Sequence, residues 1–213
     1  MKKQIVLVIL LIGFASSLFC ADVEFWQGVG IDFKPAKHFK LYLEKQLRYE
    51  NKFTNTESDF YEIGLRYSFN KFLDFRVDYR FEYRPNSNEK RNRIDGNLYL
   101  TFKWKSFEFS NRSRLQQEYI DELGSSDTEL EFRNRVQLTL VADKKIQPFI
   151  GGEIFVGLGK DAEDQNKLRL TAGTDWNIKK RVTLSLFYHY QKFLDREKPK
   201  NTNVLGVKFN YSF

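Results

Sequence analysis

From Val23 to the end of the chain, apolar and polar residues alternate with a period of two, in runs separated by polar breaks. The run Leu73 to Arg84 shows the pattern most cleanly. Leu73, Phe75, Val77, Tyr79, Phe81 and Tyr83 fall on one side, and Asp74, Arg76, Asp78, Arg80, Glu82 and Arg84 on the other. A helix would smear such a pattern around its axis, whereas a strand sends every second side chain to the same face. The same period predicts strands over 23–33, 39–50, 60–69, 94–104, 107–119, 129–141, 146–158, 167–178, 182–193 and 203–213. Pro148 and the glycines of 146–158 make that strand the weakest of the eleven.

The breaks alternate in length. Short ones fall at 34–38, 70–72, 105–106, 142–145 and 179–181, and longer ones at 51–59, 85–92, 120–128, 159–166 and 194–202. Short turns on one rim and long loops on the other are the layout of an up-and-down transmembrane barrel, whose strands of about 9–11 residues match the bilayer. The pattern therefore predicts an all-β, up-and-down antiparallel transmembrane β-barrel of about 10–12 strands. Eleven segments sit awkwardly with the even strand number of bacterial single-chain barrels. The count calls for either a first segment that does not span or a strand hidden near 146–158.

Ahead of the barrel, Lys2 and Lys3 precede an apolar run from Ile5 to Phe14 and the small residues Ala15, Ser16 and Ser17. This is the layout of a secretory signal peptide, too short for a comfortable transmembrane helix. The domain division is a signal peptide over 1–20 and one barrel domain over 21–213. Cleavage fits after Ser17 or near Cys20, and the second site carries a lipoprotein alternative that the bulky Phe19 disfavours. No later stretch approaches the roughly 18 consecutive apolar residues of a spanning helix.

Charge assigns the faces. Of 35 Lys and Arg and 28 Asp and Glu, fifteen cations and fifteen anions fall on the polar side of the predicted strands. The apolar side carries only Lys45 and Lys192. A soluble lipocalin-like barrel would turn the apolar side inward, and alternation alone does not exclude that inversion. Two features oppose it. Five or six large apolar residues per strand over eleven strands overfill a small barrel. Aromatics also gather at strand ends (Phe33, Phe39, Phe69, Phe75, Trp104, Phe107, Trp176, Phe213), as in the interfacial girdles of membrane barrels. The polar side then forms a lumen network of Arg76, Asp78, Arg80, Glu82, Arg112, Arg114, Glu131, Arg133 and Arg135. Its balance of sign points to paired charges that plug or narrow the interior, because a selective pore calls for one sign in excess.

Candidate chemistry is sparse. One Cys and two His exclude a disulfide framework and leave no zinc site. His189 lies on a strand, but the nearest hydroxyl on its face, Ser185, is four residues away, roughly 13 Å along a strand and beyond hydrogen-bond reach. His38 falls in a turn, and the acidic loop 160–166 lacks the spacing of a calcium loop. No catalytic residue, metal or cofactor is assigned. A net charge of +7 without a basic stripe gives no case for nucleic acid, and no feature specifies an oligomeric state.

The last strand, with Phe209, Tyr211 and the terminal Phe213, resembles the assembly signal of bacterial outer-membrane barrels. That resemblance implies the barrel assembly machinery and outer-membrane lipids as partners, and the cell outer membrane as location. The segments Glu24-Phe25-Trp26-Gln27-Gly28-Val29-Gly30 and Leu43-Glu44-Lys45-Gln46-Leu47-Arg48-Tyr49 also resemble the uncharacterised outer-membrane family called domain of unknown function 2490. So do the later Tyr79-Arg80, Arg112-Ser113-Arg114 and Arg133-Asn134-Arg135. That family has no established activity, so the resemblance implies a fold and a location but no catalytic residues. The sequence reading is a small non-enzymatic outer-membrane barrel, structural or weakly channel-forming. The alternatives are a lipid- or lipopolysaccharide-modifying barrel enzyme and a soluble periplasmic lipocalin-like carrier.

Overall fold

All eleven predicted strands form, and they close into one barrel. The structure, a computed structural model, describes residues 22–50, 55–122, 125–159, 166–194 and 201–213. The signal segment, Cys20 and most of the acidic loop 160–166 lie outside the described residues. The strands are β1 (Asp22–Ala36), β2 (Phe39–Glu50), β3 (Asn55–Ser68), β4 (Leu73–Arg84), β5 (Glu89–Trp104), β6 (Phe107–Glu122), β7 (Ser125–Leu140), β8 (Ile146–Gly157), β9 (Lys167–Lys179), β10 (Val182–Phe193) and β11 (Asn201–Ser212). Each pairs antiparallel with its sequence neighbour, as short hairpin connections require.

The closing pair differs. β1 runs parallel to β11, with Phe25 opposite Leu205 and Val29 opposite Phe209. The count is thus odd, which corrects the even number expected of a bacterial barrel. The first strand does span, and no strand is hidden near 146–158. Pro148 fits because it lies beyond the β7 ladder, whose pairing with β8 begins at Phe149 opposite Thr139.

Side-chain orientation follows the pleat and settles which face is inside. Val77 and Tyr79 are each 45% exposed on the outer surface, whereas Asp78 between them is 1% exposed in the interior. The soluble alternative, with the apolar face inward, is therefore excluded. Outward Phe33, Phe39, Phe69, Trp104, Phe107, Trp176 and Phe213 ring the short-turn rim. Several meet at ring-centroid distances of 4.8–5.0 Å, as in Phe39–Tyr67, Tyr67–Phe69 and Tyr211–Phe213. Toward the other rim, tyrosines replace them, with hydroxyls on polar neighbours: Tyr79 donates to Asn92 at 2.7 Å and Tyr83 to Asn88 at 3.1 Å. Aromatics with a wet tip suit a membrane interface.

Four strands, β3, β5, β6 and β7, start or end three to five residues farther toward the long-loop rim than the alternation indicates, while β1 runs on three residues at the short-turn rim, to Ala36. The added outward residues of the four include Asp59, Lys90, Asp121 and Ser126. Above the hydrocarbon both faces of a strand meet water, so pairing continues while hydrophobic alternation stops.

Glycines shape the inner wall where bulk crosses it. A Cβ on Gly206 would lie 2.0 Å from the Phe187 ring, and one on Gly173 would lie 2.6 Å from both the Leu186 carbonyl oxygen and the Phe149 ring. Both rings therefore lie flat on bare backbone.

Candidate functional site: the charged lumen

The interior is organised around two buried glutamates. Glu62 on β3 accepts from Arg76 (3.0 Å) and Arg80 (2.7 Å) on β4, and from Arg93 on β5 (3.3 Å). The same arginines extend the network, with Arg76 Nε donating to Asp78 at 2.7 Å and Arg93 Nη2 donating to Asp95 at 3.1 Å. Arg114 on β6 closes this cluster, meeting Asp95 at 3.0 Å and donating to the Asn97 side-chain oxygen at 2.7 Å. Asn97 in turn donates to Asp78 at 2.8 Å. The planar fork of Arg reaches two acceptors at once, which lets one side chain join neighbouring strands.

The second centre is Glu153 on β8. It holds Arg112 (2.5 Å), Arg133 (2.9 Å) and Arg169 (3.3 Å), drawn from β6, β7 and β9. Arg169 also donates to Gln191 on β10 at 2.7 Å, and Arg133 to Gln116 at 3.2 Å. Aromatic rings back these cations. Phe155 lies under Arg133, Lys167 and Arg169 at 4.1–4.7 Å. Trp26 lies under Arg48 at 4.2 Å, and Phe60 under Arg80 at 3.6 Å. Such contacts add to the carboxylate pairing of Arg80, Arg133 and Arg169, and they stabilise Arg48 and Lys167, which have no ion pair with a described residue.

Near the long-loop rim, Glu82 pairs with Arg84 at 3.0 Å, and Arg91 bridges Glu89 and Glu118. Toward the short-turn rim Lys208 on β11 reaches Glu44 on β2, passing over the bare backbone of Gly28 and Gly30 on β1. With Asn210 donating to Asp32 at 2.8 Å, these contacts tie the parallel seam across its inner face.

The nine residues assigned to a lumen network all face inward, but they do not form one network. Arg76, Asp78, Arg80 and Arg114 belong to the Glu62 cluster, Arg112 and Arg133 to the Glu153 cluster, and Glu82 to the rim. Glu131 and Arg135 line the cavity without an ion pair to any described residue. The hubs Glu62 and Glu153 and the inward aromatics Trp26, Phe60 and Phe155 were not singled out by sequence reasoning. Their parity on the charged face is the signal that finds them. Phe209 and Phe213 face outward, with Phe213 N–H bonded to the Asp32 carbonyl at 2.9 Å.

Balanced sign on the inner face does not give balanced sign at the cavity. A void of about 670 Å³ runs through the upper and central lumen, and thirteen cationic side chains line it against eight carboxylates. Asp78 and Asp95, each 1% exposed and sunk into the wall beneath their arginines, account for part of the difference, and carboxylates nearer the rims, such as Asp32 and Asp74, for the rest. A second void of about 330 Å³ lies near the short-turn rim, bordered by Asp32, Thr183 and Ser212. The two share Glu44, Glu62, Arg76, Asp175, Ser185 and Lys208 as lining residues, so they adjoin at the level of the Lys208–Glu44 pair.

His189 also faces the lumen, bonded to Thr171 Oγ1 at 2.8 Å and packed on Phe187 and Trp26. Ser185 donates to Asp175 at 2.5 Å. Each is committed to its own partner, so they do not form a nucleophile–base pair. Among the described residues no three His, Cys, Asp or Glu side chains gather where they would hold a metal ion.

Among solved structures, the barrel is similar to the NanC porin, with a TM-score of 0.54 at 10% identity, covering 79% of this chain and 86% of that one. It is also similar to a bacterial polysaccharide outer-membrane secretin, with a TM-score of 0.54 at 8% identity over 79% of this chain. The chain covers 62% of that protein's length. At such identities the likeness is one of fold. No curated protein matches the sequence. The family model described as protein of unknown function (DUF2490) matches residues 23–203, and on that match the chain belongs to this family.

Proposed function

We propose that this protein is a non-enzymatic barrel of the cell outer membrane whose lumen is a narrow, weakly conducting aqueous passage. The observation that carries the reading is the pair of voids that adjoin at the level of the Lys208–Glu44 pair. One reaches Arg84, Arg91 and Glu129 toward the long-loop rim, and the other reaches Asp32 and Ser212 toward the short-turn rim. An enzyme reading has less support, because His189 and Ser185 are each held by a separate neighbour. The outward apolar band, the aromatic girdle and the outer-membrane barrels that share the fold support the location. Outer-membrane lipids and the barrel assembly machinery are the partners this location implies.

Fractionation tests the location: the protein is expected with the outer membrane, resisting salt and carbonate, and migrating differently on a denaturing gel before and after boiling. Release by carbonate without detergent would overturn it. Planar-bilayer recordings test the passage. Wild-type barrel is expected to show small, steady conductance. Lys208→Ser is expected to roughly double it, since flow through a pore is limited at its narrowest ring. A silent wild-type barrel and a silent variant together would reduce the lumen to a plug.

A further inference from the structure

We propose that the upper lumen contains a binding site for a small organic or inorganic oxyanion, carboxylate or phosphate in type, built on Arg135, Arg112, Arg133 and Arg169 around Glu153. This deepens the passage reading, which it rests on only in requiring that a solute reach the cavity.

The argument starts from register. On β6 and β7, Arg112 lies directly opposite Arg135, and Arg114 directly opposite Arg133. Like charges facing each other across an antiparallel pair are destabilising. Two such rungs in succession need counter-charge, and the wall supplies it unevenly. Arg114 has Asp95 and Asn97. Arg112, Arg133 and Arg169 share the single carboxylate of Glu153, and Arg135 makes no ion pair with any described residue. Four guanidiniums thus stand around one carboxylate. The Glu62 cluster is different, since its four guanidiniums have Glu62, Asp78 and Asp95 among them.

A second observation is independent of that count. Arg112 Nε is buried without a hydrogen-bond acceptor. A buried donor left unsatisfied is costly, more so on a charged group. An oxyanion in this cluster supplies both missing terms, negative charge and acceptor oxygens, and the fork of Arg binds carboxylate and phosphate bidentately. All four arginines line the 670 Å³ cavity, so the site is reached through water. A void of this size is within the range that encloses a small ligand. The aromatic floor of Phe155, beneath Arg133 and Arg169, fixes the planes of two forks and pre-organises them.

Calorimetric titration of the purified barrel in detergent with citrate and with inorganic phosphate tests the site, with glucose and spermidine as neutral and cationic controls. Citrate or phosphate is expected to bind and the controls to leave no heat. Arg135→Gln is expected to weaken binding about tenfold, the usual weight of one charged hydrogen bond, and Arg135→Lys to weaken it less. Arg135 has no carboxylate partner, so its replacement orphans no anion, and heat-modifiable migration is expected to persist. Lys103→Gln, which breaks a pair with Glu108 away from the cluster, is expected to leave affinity unchanged. The inference is overturned if neither anion binds at millimolar concentration, if glucose binds as well as citrate, or if folded Arg135→Gln binds both anions like wild type. Conductance without anion binding sinks this site and leaves the passage standing, whereas anion binding by a barrel that never conducts does the reverse.

Discussion

Glu153→Ala is expected to be the most damaging single substitution in the lumen, lowering stability by about 3–5 kcal/mol, the usual cost of removing one partner from a buried ion pair. Three arginines on three strands lose their common acceptor at once, and Arg135 adds a fourth uncompensated charge beside them. The interior then carries four crowded guanidiniums with no carboxylate between them. The measurement is the urea midpoint of the barrel refolded in detergent or lipid, with heat-modifiable migration as a check on closure. Glu153→Gln separates charge from packing: it preserves size and an acceptor oxygen, yet is expected to lose most of the same stability. If the glutamine variant matches wild type, the carboxylate is not what holds the cluster. Added citrate is expected to recover part of the loss in either variant, by standing in for the missing charge.

The second large effect lies on the opposite face. Val77→Arg places a cation in the middle of the outer band of β4, where the expected cost is about 2–4 kcal/mol. The diagnostic is depth rather than size. Ile178→Arg, at the end of β9 near the short-turn rim, is equally outward but sits at the interface, where the cost falls to about 0–1 kcal/mol. Urea unfolding in lipid vesicles is expected to resolve the two variants clearly. Equal costs at both positions would mean that no hydrocarbon slab surrounds this barrel.

The band around Val77 was readable because its physics is local. Every second residue from Leu73 to Tyr83 is apolar, and the strand β4 has the limits that the alternation predicts. β5 was readable only from Ile94 onward, although it begins at Glu89. Between those positions Lys90 and Asn92 point outward into water, so no apolar partner marks the period, while Glu89, Arg91 and Arg93 keep the inward parity. The ends of membrane strands are written in backbone pairing, and composition records only the portion inside the bilayer. Charge was legible as an inventory but not as a map. The opposed rungs Arg112–Arg135 and Arg114–Arg133 depend on the register between β6 and β7, and that register is set by the hairpin joining them. The sinking of Asp78 and Asp95 beneath their arginines depends on side-chain placement, and it contributes to the cationic excess of the cavity. Parallel closure was implied by the count, since an odd number of hairpin-linked strands sends the first and last the same way; what alternation left open was whether all eleven segments span.

That closure decides where labels and fusions emerge. Because β1 and β11 run the same way, Val23 stands at the long-loop rim and Ser212 at the short-turn rim, a full wall height apart. An even-stranded barrel would bring both ends to one side. Here a fusion ahead of Val23 and another after Phe213 would report on opposite compartments, and joining the ends into a circular permutant would demand a linker long enough to thread the lumen.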